Sequence, residues 1–214
     1  SGWVCRTELD AKVSAWDRNE YPIADRIVLL DGNSASIIAH LLQHQPTDVV
    51  VYKVHDKWSR PILSEDPQFK LVNSFLSYSN NPRIHEFVQA GFPVVEQHSH
   101  YDDEAAALFA ASGYVAEEFR LHLDRGAQWF AVREDNRIVS FCLAFQIFEK
   151  IWEVGGVLTL QEYRRKGFAK AIVSAALGYL NVIKLIPRYQ FRNWNSASRR
   201  LAESLGLQPR VIVD

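Results

Sequence analysis

The chain of 214 residues has no methionine, only two cysteines, and no apolar run approaching the ~18 residues needed to cross a membrane. It also lacks an excess of either charge: 24 Lys and Arg stand against 25 Asp and Glu, for a formal net charge of -1. Such a balance gives no global attraction to nucleic acid, so any basic site must be local. Cys5 and Cys142 form neither a metal-spaced cluster nor a disulfide framework. Cys142 sits in an apolar run and reads as a buried, inert thiol. The first residues show no basic and apolar regions of a signal peptide, and Ser1-Gly2 reads as a processing scar. A cytoplasmic location is the resulting expectation. What is present, 48% hydrophobic and 23% charged residues, is the composition of an ordinary globular protein. The length allows one large domain or two small ones.

The N-terminal part predicts a β-α-β start: a strand over Arg26–Leu30, a helix over Ala35–Gln43, and a β-branched strand over Val49–Val54. Asp31-Gly32-Asn33-Ser34 between them suits helix capping, and an anion site there is the alternative. The aromatics Trp16, Tyr52, Trp58, Phe69, Phe75 and Tyr78 read as core rather than as a cage. Prolines and mixed polarity obscure the order from Lys57 to Pro93, and a boundary near Pro93 separates an N-terminal region, 1–93, from a C-terminal core, 94–214. Beyond it the pattern sharpens. Asp102 or Asp103 can cap a helix ending at Ala111, and Tyr114–Asp124 forms another amphipathic helix closed by Gly126. Strands follow over Gln128–Arg133 and Arg137–Phe148, joined as a hairpin by Asp135-Asn136. Period-2 alternation puts Val139, Phe141, Leu143, Phe145 and Ile147 on one face of the second strand. Trp152–Leu160 is a further strand.

That last strand runs into a basic loop, Arg164-Arg165-Lys166-Gly167, which opens an Ala-rich helix. Positions 168, 171, 172, 175, 176 and 179 give the helix an apolar stripe. A helix start leaves backbone N–H groups without partners and favours an anion. Gly167 has no Cβ, so a phosphate group can approach the backbone closely. Cations oppose the dipole at this end of a helix, so three of them together suggest a bound anion rather than a stabilising device; a solvated basic loop is the alternative.

Arg164-Arg165-Lys166-Gly167-Phe168-Ala169 resembles the coenzyme-binding motif of the GNAT superfamily of N-acetyltransferases: Arg or Gln, two variable residues, Gly, one variable, then Gly or Ala. Downstream, Asn195 through Leu207 is similar to that family's later helix, with Asn195 as N-cap, Ala197, Leu201 and Leu205 on an apolar face, and Gly206 as terminator. The resemblance covers about residues 101–214.

The resemblance implies an α/β (α+β) fold with a mixed, mostly antiparallel sheet flanked by helices; the N-terminal region is then a degenerate second copy or a substrate-shaping extension. It also implies acetyl-CoA as donor, coenzyme A as product, and no metal. Val157 and Thr159 would bond the pantetheine amides, and an N–H at Val157 or Leu158 would polarise the thioester carbonyl. Arg164, Arg165, Lys166, Gly167, Phe168, Ala169 and Lys170 would hold the pyrophosphate, and Asn195 and Ser198 would lie by the pantetheine arm. Glu153 is the candidate general base, with His98, His100, Asp102 and Asp103 behind it. The sequence departs from the family at Ala202, where many members carry a tyrosine that protonates the leaving thiolate; Tyr189 or a water is the substitute. The expected acceptor is a small-molecule or amino-acid-like amine, attacked directly, with no nucleic-acid or membrane partner; an oligomer is compatible with the pattern. The alternatives are acetylation of a protein N-terminus or lysine, and a non-catalytic acyl-CoA-binding module.

Overall fold

The computed structural model describes residues 7–8, 20–30, 34–42, 49–55, 57–79 and 93–214. The chain forms two compact units: Ser1–Leu76 with Val211–Asp214, and Ser77–Arg210. The sequence boundary near Pro93 lies later than this division. Ring contact between Tyr78 and Phe191, and a hydrogen bond from the Ser79 hydroxyl to the Pro187 carbonyl, tie residues 77–79 to the second unit.

In the first unit, β1 (Thr7–Glu8) pairs antiparallel with β2 (Arg26–Leu30), which pairs parallel with β3 (Val50–Val54). Helix α1 (Ala35–Leu42) makes the β2-to-β3 crossover, and α2 (Ser59–Glu65) follows β3. The expected β-α-β start is therefore present. Ser34 caps α1 by accepting from the Ile37 N–H; Asp31, Gly32 and Asn33 lie outside the described residues, as does Trp16. Leu30, Ile38 and Val54 form the buried centre, with Tyr52 packed against it. Tyr52 and Phe69 meet edge to face, whereas Trp58 is exposed beneath the Lys57 ammonium. The core reading thus holds for Tyr52 but not for Trp58.

The second sheet has seven strands in the order β10-β4-β9-β8-β7-β6-β5. These are β4 (Phe75–Ser79), β5 (Glu96–His98), β6 (Gln128–Glu134), β7 (Arg137–Phe148), β8 (Ile151–Thr159), β9 (Ile186–Arg192) and β10 (Gln208–Val213). Strands β4 and β10 fall across the division between the units. β5 through β8 pair antiparallel in succession, and β8 pairs parallel with β9. Asp135 and Asn136 both take positive φ, 48° and 63°, the conformation a tight two-residue hairpin requires.

Helices α3 (Asp103–Ala111) and α4 (Ala116–Asp124) cover one face, where Phe109 and Phe119 pack on Trp129, Phe141 and Leu143. Asp102 caps α3, accepting from the Ala105 N–H at 2.9 Å, and Gly126 follows α4 at φ 90°. On the sheet's other face α5 (Phe168–Val182) lies against β6, β7 and β8, with Tyr179 on Phe130. Helix α6 (Ser196–Ser204) follows β9.

Three sequence expectations need correction. Ile138, not Val139, joins Phe141, Leu143 and Phe145 on the α3–α4 face, because a register shift at Val132/Arg133 inserts an extra β7 residue and flips the alternation. The buried surface of α5 includes Val173, Leu177 and Leu180, while Ala175 and Tyr179 are only half-buried, since the helix is covered over a wider arc than one stripe. Ala197 is exposed; α6 buries Ala202 instead, with Leu205 just beyond its end.

Candidate active site

Two local features of β8 shape the site. Its pairing with β7 runs from Leu143↔Gly155 to Phe141↔Leu158, so Gly156 and Val157 together oppose Cys142. This is a β-bulge, and Gly156 takes the positive φ of 64° that it requires. A Cβ on Gly156 would lie 3.1 Å from the Phe109 ring and 3.3 Å from the Ser112 hydroxyl, so close packing of α3 also demands glycine. The second feature is the edge toward β9. The two strands pair only at Ile151↔Ile186, Trp152↔Pro187 and Glu153↔Arg188. β8 runs on to Thr159 and β9 to Arg192, so beyond Glu153 the sheet opens between them. Val157, Leu158 and Thr159 lie half-buried along that opening.

The loop that follows carries Arg164, Arg165, Lys166 and Gly167 at the surface. Arg164 donates to the Thr159 carbonyl at 3.1 Å, which folds the loop back on its strand. Arg165 and Gly167 take positive φ of 64° and 85°, curling the backbone into α5. A left-handed arginine is costly by roughly 1–2 kcal/mol, a strain that clusters at functional loops. No side chain caps α5, so the N–H groups of its first turn, at Phe168, Ala169 and Lys170, remain available to an anion. A Cβ on Gly167 would meet nothing within 4 Å, so the space before these donors is open. Among the described residues Arg165 and Lys166 pair with no carboxylate; Lys166 stands over the Tyr163 ring at 4.9 Å. Open space, uncapped donors and unneutralised cations together fit a pyrophosphate.

Across the opening, Asn195 caps α6 by accepting from the Ser198 N–H at 3.0 Å, and the Ser198 hydroxyl accepts from Tyr189 at 3.4 Å. Burial pushes the Tyr189 phenol up to about 12, so it keeps its proton. Ala202 is fully buried.

Glu153 is almost wholly buried at the last paired register before the opening. Its Oε2 accepts from the Arg188 guanidinium, 2.7 Å from Nε and 2.5 Å from Nη2. Its Oε1 accepts from the Tyr114 hydroxyl at 3.4 Å. Burial, reinforced by the Glu153 charge, holds the Tyr114 phenol well above its ordinary range. His98, His100 and Asp102 are placed elsewhere. His98 stacks on Trp129 and bonds Glu96 at the β5 edge, three strands from β8, and the His100 carbonyl accepts from the Trp129 indole. Asp102 is spent as a cap, and Asp103 opens α3. Burial raises the Cys142 thiol far above its ordinary range, so it is inert. Among the described residues no three His, Cys, Asp or Glu stand together as a metal site, and no helix is long and apolar enough to cross a membrane.

Sequence reasoning missed Arg188 and Tyr114, because strand register and loop docking bring them to Glu153 from 35 and 39 positions away. The bulge did leave a signal. Two adjacent glycines inside an apolar strand mark a bulge or a close approach, and here they mark both.

A strand bulge, an opened parallel pair and a basic loop at an uncapped helix start together make a cleft suited to a long, phosphate-bearing ligand. The family model for the acetyltransferase (GNAT) family matches residues 81–207, and the chain belongs to that family, whose members transfer an acyl group from acyl-CoA. Its fold is similar to that of a GNAT-family acetyltransferase from Colwellia psychrerythraea, with a TM-score of 0.63 at 10% identity, covering 100% of this chain and 98% of that one. A GCN5-related N-acetyltransferase from Sphaerobacter thermophilus gives 0.61 at 12% identity, over 99% and 74% of the two chains. A protein assigned to the same family from Novosphingobium aromaticivorans DSM 12444 gives 0.53 at 20% identity; the match spans 66% of this chain but only 61% of that one. No curated protein sequence matches the chain.

Proposed function

We propose that the protein is an N-acetyltransferase that moves the acetyl group of acetyl-CoA to the amine of a small or amino-acid-like acceptor by direct attack. One observation carries this reading: the β8 bulge and the Glu153 carboxylate lie three residues apart on one strand, beside the opening toward β9. The bulge supplies a backbone N–H, at Val157 or Leu158, for the oxygen of the thioester carbonyl. Such a preorganised donor is worth roughly 3–4 kcal/mol when removed elsewhere. Val157 and Thr159 bond the pantetheine arm, the Arg164–Lys170 segment holds the pyrophosphate, and Asn195 and Ser198 border the arm from the other side. An ammonium has no lone pair, so Glu153 takes the proton that the acceptor must lose. The amine nitrogen then bonds to the carbonyl carbon, and the carbon–sulfur electron pair leaves with the thiolate. A free thiol ionises near pH 8.5, so this departure has no strict need of the acid that Ala202 cannot provide. Tyr189, protonated beside Ser198, or a water takes that task.

The test is calorimetric titration with acetyl-CoA, followed by thiol release with a panel of amino acids, amino-acid amides and polyamines. Micromolar binding that Gly167→Glu abolishes, with turnover of at least one panel amine, is the expected result. Gly167→Glu places a negative charge before the cradle and forces a non-glycine residue to φ 85°. Unchanged affinity in that variant removes the cradle assignment. Binding without turnover of any amine, or of peptides with free N-termini and lysines, turns the protein into an acyl-CoA-binding module.

A further inference from the structure

Tyr114 lies between α3 and α4, away from every motif of the coenzyme site, yet its hydroxyl reaches the strand that carries the chemistry. Its ring stacks on Phe109, with centroids 4.7 Å apart and planes 24° apart, and meets Phe145 edge-on at 5.9 Å. The hydroxyl sits so close above Gly155 that a Cβ there would lie 2.5 Å from it. Glycine at 155 is thus what admits the phenol to the sheet surface, two residues beyond Glu153 and directly before the bulge.

The lone pairs of Glu153 show what this contact does. A carboxylate offers about four acceptor positions, two on each oxygen. Both on Oε2 are taken by Arg188, through Nε and Nη2. On Oε1 one is taken by Tyr114. One position on Oε1 is left. Arg188 alone would hold Oε2 but leave the carboxyl plane free to turn about it; the hydroxyl of Tyr114, on a ring clamped by Phe109 and Phe145, supplies the second fixed point. We propose that Tyr114 is a positioning residue that orients Glu153 so that the remaining lone pair of Oε1 receives the acceptor's proton. The phenol is suited to this because burial and the neighbouring carboxylate keep it protonated, hence a donor, at any working pH. This inference rests on Glu153 being the base.

The experiment is a double-mutant cycle of Tyr114→Phe and Glu153→Gln, assayed by thiol release with acetyl-CoA and the fastest amine of the panel. Tyr114→Phe keeps the ring stack and removes only the hydroxyl. Expected are a kcat lowered about 100-fold or more in Glu153→Gln, the low end of what general-base loss costs, and roughly tenfold in Tyr114→Phe. The double variant should be no slower than Glu153→Gln, because contacting groups that act as one do not add. KM for acetyl-CoA and its calorimetric affinity should stay at the parent's values in all three, which also shows that they fold. Full activity in Tyr114→Phe with a crippled Glu153→Gln overturns the positioning role alone, as does a double variant in which the two losses multiply. Full activity in Glu153→Gln overturns the base assignment and this proposal with it. So does a parent protein that releases no thiol with any amine.

Discussion

His122 shows how far a single side chain can be pushed by its place in this fold. It stands on α4 with its ring 4.2 Å from that of Phe145 and edge-on to Phe109. Burial there, with a smaller push from the Arg125 charge, lowers its ionisation from 6.5 to about 4. The sign of the consequence follows from linkage. Between about pH 6.5 and about 4 the unfolded chain takes up a proton that the folded chain refuses, so stability is full above that window and is lost as pH falls through it. The loss should amount to on the order of 1–3 kcal/mol, allowing for the ring's partial exposure. His122→Leu is expected to flatten the dependence of denaturation midpoint on pH across this window; an unchanged slope would place the acid sensitivity in other groups.

Among the elements, α6 separates a structural role from a chemical one. Asn195 caps it through the Ser198 N–H, so Asn195→Ala should cost about 1 kcal/mol. Asn195→Asp keeps the accepting oxygen and therefore the cap, but replaces the amide donor with an anionic oxygen. Stability close to the parent's, with clearly weaker acetyl-CoA affinity by calorimetry, is the expected outcome for Asp if the amide borders the pantetheine arm. Equal affinity in parent and Asn195→Asp would reduce the residue to a cap. The same helix shows what periodicity could and could not provide. Its start at Asn195 and its end at Gly206 were legible, because capping and termination are local chemistry. Its inward face was not, and Ala197 proved exposed while Ala202 is buried, because the facing surface belongs to residues distant in sequence.

For the whole molecule, a net charge of -1 gives no global attraction for a polyanionic ligand, so that attraction is local, and the proposed place for it is the Arg164–Lys170 segment. Raising salt from low concentration to about 0.5 M, where the screening length falls to only a few Å, should therefore weaken coenzyme A binding several-fold. Binding of acetyl-pantetheine, which carries no phosphate, should stay the same; equal salt dependence for both would show that the loop does not hold the phosphates.

The sequence by itself determined the strand–loop–helix that bears the coenzyme motif, the hairpin at Asp135-Asn136, the capped helices and the family. Each of these is written in contiguous residues whose torsions, caps and charges act over a few positions. Only the tertiary structure decided where alternation breaks on β7, that Gly156 forms a bulge beneath Phe109, and that β8 and β9 part after Glu153. It alone brought Arg188 and Tyr114 onto the two oxygens of that glutamate. The reason is physical: register between strands is set by packing of whole faces, and one extra residue in a bulge exchanges inside for outside for everything beyond it.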